Sequence, residues 1–467
     1  MNQTPFLKIY GGIHELLQGL RVMAFSKGTF YEEQHGLDLR HRIFYTVLFL
    51  LLFRFLAAIP VLNVDEVRLQ QLLADNPLVG TVDLFAGGEV LTHFSVVAAG
   101  IFPYLLALVL AHGAIWIVPS LRELRYQEEQ YKKKIEFITK LLTIPLAFIF
   151  AWAISQYLSQ QTGLFPEHIH WFTMATFFSS LRIVCFVTVG SLLSTWIIHR
   201  ITKIGVGSGE GIVLLAGASL GLVKQFVQIV HESSGSTDAS YRLGFVIVGG
   251  LIVIVLSYYL AKAQRRIPII IPKKSSPHRD YGQKPYLPFL LNIGGILPVS
   301  AAMGLLTLLQ FAQIFLKSHF GGILGAVGQW LSVWLTPASG LYWISLAFLI
   351  VLFTYAYNFS IFWNEDIPMA LKKSGLYIPD VRPGKTTEKY LSGIMTRITW
   401  AGALGLALLA AGLPYLILLL TQQNVIVTIL SLMVVVKTIV GFGWGDKFEA
   451  YYKAKPYEPL MKKASKK

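Results

Sequence analysis

One cysteine in 467 residues, Cys185, excludes an internal disulfide and any CxxC metal knuckle. Charge is scarce as well: Asp, Glu, Lys and Arg make up 14% of the chain, where a soluble globular protein sits near a quarter. Acid is the scarcer sign, 25 Asp and Glu against 40 Lys and Arg, for a net charge of +15. In so apolar a chain that excess belongs on the cytoplasmic side of a membrane rather than on a nucleic-acid face. Catalytic patterns are missing. Gly205-Val206-Gly207-Ser208-Gly209-Glu210-Gly211 has the look of a phosphate cradle, yet it follows an apolar span rather than a strand and lacks the Lys-Ser/Thr ending. It reads as a tight turn that lets two spans meet. His168 and His170 lie two apart with no HExxH spacing, and no Ser elbow occurs. No enzyme activity, cofactor or metal is expected. The N-terminal MNQTPFLKIYGG has no cationic start, short apolar run and cleavage site, so no removable signal peptide is expected.

What is abundant is apolar length. Apolar residues are 54% of the chain, mean hydropathy is +0.57, and apolar runs long enough to cross ~30 Å of hydrocarbon recur about ten times. The expected spans are 43–61, 95–118, 138–158, 171–198, 211–231, 243–261, 287–309, 340–363, 398–420 and 423–443. The fold class is therefore an all-α membrane protein. Ten spans put both termini on one side, and 33 of the 40 Lys and Arg fall on that side. Only Arg68, Lys224, Arg242 and Lys317 fall on the other, while Arg54, Arg182 and Lys437 lie in or beside spans. Both termini are expected in the cytoplasm.

Three segments are more than connections. Segment 79–94 (VGTVDLFAGGEVLTHF) carries Asp83, Glu89 and the pair Gly87-Gly88, too polar and broken to cross lipid alone. Read from its residues, it is either an outer surface loop or a re-entrant element at the mouth of a cavity. The cytoplasmic loops 262–286 and 364–397 are long, basic and apolar at once. In the first, Ile267, Ile269 and Ile271 alternate as in a hairpin strand; the second has ordered turn chemistry at Pro379, Pro383 and Gly384. Both read as docking platforms rather than as charge held inside by retention alone. The Lys-rich tail 444–467 suits anionic lipid. Few ionisable residues enter the spans: His112, Glu210, Arg54, Arg182 and Lys437. A small-solute transporter would need a substrate-binding charge pair beside unwound mid-span backbone, and none stands out. A purely structural scaffold leaves the broken segment and the two loops unexplained.

Particular strings carry a resemblance. FRFLAAIPVLNVD ends span 1, LFAGGEVLTHFSVVAAGIFPYLLA leads into span 2, AQRRIPI follows span 6, LPFLLNIGGILPV opens span 7, and LKKSGLYIPDVRPGKTTEKYLSGIMTRITWAGAL precedes span 9. In matching order over about 43–445, these resemble the SecY family, the protein-conducting channel subunit of the bacterial Sec translocon. The resemblance implies ten spans in two pseudo-symmetric five-helix halves, 43–231 and 243–443, around a pore, with 1–42 as a cytoplasmic N-terminal segment. It makes 79–94 a re-entrant plug, with Asp83, Leu84, Phe85, Gly87 and Gly88 as its residues. It puts an apolar pore ring at Ile101, Leu105, Leu214, Leu297 and Leu430, and a lateral gate between spans 2 and 7 with His112 and Asn292. It implies docking of a ribosome or of the SecA motor ATPase at Arg265, Arg266, Arg382 and Lys385. The implied partners are SecE, SecG, signal peptides and unfolded secretory chains, in a bacterial cytoplasmic (inner) membrane. An apolar ring suits such a task because it binds no ion, can dewet, and yields to a passing side chain.

The chain also departs from that family. Glu210 stands where a ring residue is usually apolar, so either it turns aside or Ile212 takes its place. His112 stands for a usual Gln, and Leu290 for a usual Lys. The first 42 residues match poorly, and 14–23 (HELLQGLRVM) is expected to form an amphipathic surface helix. The departures suggest a divergent or accessory member.

Overall fold

A computed structural model describes residues 39–61, 83–88, 90, 91, 94–117, 128–159, 174–232, 237–270, 286–319, 322–336, 339–364, 371, 377–382, 384–421 and 426–453. The amphipathic stretch 14–23, Glu89, Ile271, Pro383, His168, His170 and the tail beyond 453 lie outside the described residues. The first half comprises α1 (Leu39–Ala57), α2 (Phe102–Ile117), α3 (Glu128–Ser159), α4 (Met174–Ile204) and α5 (Gly209–Glu232). The second comprises α6 (Thr237–Lys262), the hairpin β1 (Gln264–Pro268) and β2 (Tyr286–Leu290), α7 (Leu297–His319), α8 (Gly322–Trp334), α9 (Gly340–Asn364), α10 (Lys385–Ala407), α11 (Leu413–Thr421) and α12 (Ile426–Lys453). Among the described residues, five stretches are long and apolar enough to cross a bilayer: 133–158, 181–204, 297–317, 340–362 and 385–420. Four shorter apolar helices accompany them.

The halves meet on two sides. On one, α5 packs on α12; on the other, α2 packs on α7 and α9. One continuous apolar core runs between them, while a belt of large apolar residues such as Leu51, Phe55, Leu251, Tyr259 and Phe348 stays exposed for lipid.

Several boundaries differ from those expected: residues 96–101 of span 2 are turn rather than helix, which begins only at Phe102, α3 starts ten residues before span 3, at Glu128, and spans 7 and 9 are shifted as well. Residues 287–290 are not helical but belong to β2, and α7 begins at Leu297 and runs to His319. An apolar run such as LPFLL suits a buried strand as well as a helix, and periodicity cannot separate the two. The Gly294-Gly295 pair decides it: Gly295 takes φ 63°, and the Asn292 side chain bonds both the N–H and the carbonyl of Gly295 at 3.0 Å, closing a turn. Span 9 starts at Lys385 rather than 398, passes through a π-turn at Leu408–Gly412 and continues in α11. Pro414, lacking an N–H, sits at the end of that turn, where the helical ladder has already slipped by one residue. A helix at Gly322–Trp334 occupies what had read as a connection.

The expected hairpin is present. β1 and β2 pair antiparallel, with Arg265 opposite Phe289 and Ile267 opposite Leu287. Ile267, Ile269 and Phe289 turn inward onto Phe359, Phe362, Ile378, Leu391 and Met395, a second apolar core that joins both long loops to the ends of α9 and α10. A bridge between Ile270 and Tyr377 ties one loop to the other. At Gly402 the backbone of α10 meets the carbonyl of Leu291 so closely that a Cβ would collide with it.

Candidate functional site

The broken segment before α2 folds back into the core. Residues 83–86 form a single helical turn. Asp83 Oδ1 accepts the N–H groups of Val90 and Leu91, each at 2.8 Å, and its carbonyl accepts Gly88 N–H at 2.7 Å. Gly87 (φ 121°) and Gly88 (φ 74°) occupy backbone space that a side chain would strain, which is why the pair is glycine. Leu84, Phe85 and Ala86 are buried, the last two completely. A segment polar enough to be refused by lipid is thus accepted by protein, as its composition requires.

Close approach seats it. A Cβ at Gly88 would lie 2.7 Å from the Gly217 Cα in α5, and one at Gly217 would lie 2.6 Å from the Gly87 carbonyl carbon. Gly87 packs under Phe53, and Arg54 Nη1 donates to the Gly88 carbonyl at 2.7 Å, tying the segment to α1. Phe85 meets the Phe102 ring edge-on at 5.6 Å; Phe102 in turn stacks on Phe150 of α3 and lies against Gly304 of α7. Phe102 therefore joins the broken segment, α2, α3 and α7 in one contact set. Sequence reasoning missed it, along with Gly217 and Gly304, because nothing in a single apolar residue or glycine marks its distant partner.

The five residues expected to form a ring are all buried in the one core: Ile101, Leu105, Leu214 and Leu430 completely, Leu297 at 8% exposure. Ile101 sits in the turn just before α2, whose residue Gly100 is held by Ser191 of α4 through a 2.8 Å hydrogen bond. Ile212 and Val213 are buried beside Leu214.

A polar layer lies next to this apolar one. Glu210 opens α5 one turn before Leu214, Tyr104 lies in α2 and Tyr357 in α9. Tyr104 meets His199 of α4 edge-on at 5.3 Å, and Tyr357 meets the His112 ring at 4.9 Å. His112 Nδ1 lies 2.7 Å from the Leu108 carbonyl. Of the two residues expected at a gate, His112 turns to Tyr357 of α9, and Asn292 precedes α7 rather than lying in it. The Asn292 carbonyl instead accepts Lys437 Nζ of α12 at 3.1 Å. Beside Lys437 a cleft of about 20 Å³, room for roughly one water, is lined by Ser257, Asn292, Ile296 and Met433 among others.

At the two long loops the four docking candidates are exposed. Arg265 and Arg266 project from β1, the latter with its guanidinium 4.8 Å from the centre of the Tyr286 ring. Arg382 uses its backbone carbonyl to cap Thr387 Oγ1 at 2.9 Å, so the guanidinium stands on a fixed turn. Lys385 opens α10 behind Gly384, whose φ is 112°.

The sequence pattern of the SecY family matches residues 95–442. The chain belongs to the SecY family. Curated SecY relatives align almost end to end. The protein translocase subunit SecY of Synechocystis sp. is 28% identical over 94% of this chain and 97% of its own length. That of Pyropia yezoensis is 30% identical over 91% and 99%, and that of Vibrio cholerae 29% over 93% and 97%. Among solved structures, "The structure of a protein conducting channel" superposes with TM-score 0.60 at 15% identity, covering 90% of this chain and 95% of that one. A structure described as Sec61 in the canine ribosome-channel complex superposes at 0.56, also 15% identical, with the same coverage. The SecY-type fold, an all-α membrane protein of two halves around a channel, is common to them all.

Proposed function

We infer that this SecY-family chain is the pore subunit of a protein translocase, passing unfolded chains across a membrane and releasing apolar segments sideways into lipid. One observation supports it most directly: an irregular segment seated by glycines on α5, beside five buried apolar residues drawn from both halves. A solute transporter centres on polar ligands for its cargo, whereas a polypeptide of any sequence is best passed by a contact that binds nothing. Ile101, Leu105, Leu214, Leu297 and Leu430 form that contact, and 79–94 closes it at rest. In a relative whose structure is described as "The plug domain of the SecY protein stablizes the closed state of the translocation channel and maintains a membrane seal", the plug does the same.

The α2–α7 contact, where Phe102 lies on Gly304, is the seam through which an apolar segment leaves. Its driving force is the transfer energy of apolar surface, about 25 cal/mol per Å². Arg265, Arg266, Arg382 and Lys385 offer cations on rigid turns to a cytoplasmic partner, a ribosome or SecA; a guanidinium so placed suits a carboxylate or carbonyl. SecE and SecG complete the assembly, and both termini face the cytoplasm of the inner membrane.

The test is photocrosslinking from Leu105 and Leu297 to a stalled secretory nascent chain in native membranes, with a signal-less cytosolic chain as control. Crosslinks from both positions, only to the secretory chain, are expected. Their absence in an intact, engaged complex overturns the reading.

A further inference from the structure

The chain passes from the hairpin to the seam helix through one short irregular stretch. β2 is held by the second apolar core, Leu291 is pressed on Gly402 of α10, and α7, which packs on α2 at the seam, begins at Leu297. Residues 292–296 must therefore absorb any swing of α7 away from α2, and Gly295, with φ 63°, marks them as the hinge. Two helices grip that hinge. Asn358 Oδ1 of α9 accepts the Gly294 N–H at 3.0 Å, and Lys437 Nζ of α12 donates to the Asn292 carbonyl at 3.1 Å. The Lys437 stem runs along Gly295 so closely that a Cβ there would lie 2.8 Å from its Cε and 3.4 Å from its Cγ. Lys437 is half-buried in an apolar helix, and among the described residues no carboxylate is paired with it. A cation so placed is costly and calls for a use. Its own helix is anchored elsewhere: α12 packs on α5 of the first half and on α6. Seven residues before Lys437, on the same face, α12 carries the buried Leu430.

We propose that Lys437 is a gate-positioning residue of this channel, its ammonium latching the hinge before α7 and so setting how apolar a segment must be to part α7 from α2 and leave sideways. This rests on the pore reading above and deepens it, by naming what tunes sideways exit. Exit competes with onward passage, so the share of segments released follows the population in which the seam is open. One charged hydrogen bond on the hinge shifts that population while leaving the apolar ring and the broken segment as they are.

The experiment uses the assembled complex in native membranes and a secretory chain carrying an alanine segment of about 19 residues with a rising number of leucines. Protease protection separates the inserted product from the fully crossed one. Lys437→Met keeps a stem over Gly295 and loses the donor. At the composition where the native chain divides its product equally, this variant should raise the inserted-to-crossed ratio about tenfold, the equivalent of roughly 1.4 kcal/mol or of about two leucines. Lys437→Arg, which keeps a donor, should hold the native midpoint. So should Ser257→Ala, since Ser257 lines the same cleft but its buried hydroxyl has no bond to lose. A native midpoint in Lys437→Met overturns the proposal, whether or not the complex melts lower, because a merely structural lysine would move the melt alone. A midpoint in Lys437→Arg equal to that of Lys437→Met overturns it too, and in both cases the pore reading stands. If the native complex neither inserts nor passes any segment of the series, the pore reading falls and this one with it.

Discussion

Replacing Gly217 by alanine adds a single methyl, and the structure says where it goes. A Cβ there would lie 2.6 Å from the Gly87 carbonyl carbon, 2.7 Å from its oxygen and 2.9 Å from the Gly88 nitrogen. These are backbone atoms, so no rotamer change relieves the collision. The broken segment must withdraw from α5 by about 0.8 Å to move the closest contact from 2.6 Å to the 3.4 Å at which ordinary contact begins. Overpacking of this kind costs roughly 1–3 kcal/mol. Alanine also favours the helix over glycine by about 1 kcal/mol, but α5 is helical whether the segment is seated or not, so that gain cancels from the seating equilibrium. The seated state should lose about 5- to 150-fold in relative population. The assay is resting ion conductance of the reconstituted complex in planar bilayers with no chain in transit. Gly221→Ala, one turn along, is the control: its Cβ meets only Ser431 Oγ at 3.8 Å and should leave the leak unchanged. If Gly217→Ala conducts no more than Gly221→Ala, the segment is not the seal.

Arg54→Gln removes the 2.7 Å bond from α1 to the Gly88 carbonyl, a charged hydrogen bond of about 1.5–3 kcal/mol; resting conductance should rise, with Arg54→Lys intermediate, and an unchanged leak refutes the tether. Arg382→Glu should abolish partner-driven export yet shift thermal stability by no more than about 0.5 kcal/mol, because the contact to Thr387 is made by the backbone; unimpaired export sinks the docking assignment. Gly402→Ala drives a methyl into the Leu291 carbonyl and should lower the melting temperature and speed amide exchange at Phe289. A native-like melt would mean the hairpin does not rest on α10.

Much of this molecule was legible from one dimension. Hydropathy located the spans because each must satisfy its own backbone in lipid, and that demand is local. Alternation at Ile267 and Ile269 announced a strand that the structure contains. The polarity and glycines of 79–94 said that it could not face lipid, though from its residues alone a surface loop was an equal outcome. Where local signals compete, reading failed: LPFLL was equally good strand and helix, and only the Asn292 turn and Gly402, 111 positions beyond Leu291, place it in β2.

Length, hydropathy and the placement of basic residues by themselves determined a polytopic membrane protein, because the energy of burying a charge or an unpaired amide in hydrocarbon is set by the residue and not by its neighbours. The tertiary structure alone decided which glycines receive the broken segment, that Phe102 joins it to both halves, and that His112 packs against Tyr357. Those are contacts between residues far apart in the chain, created by close packing, and close packing is a property of surfaces brought together rather than of either surface alone.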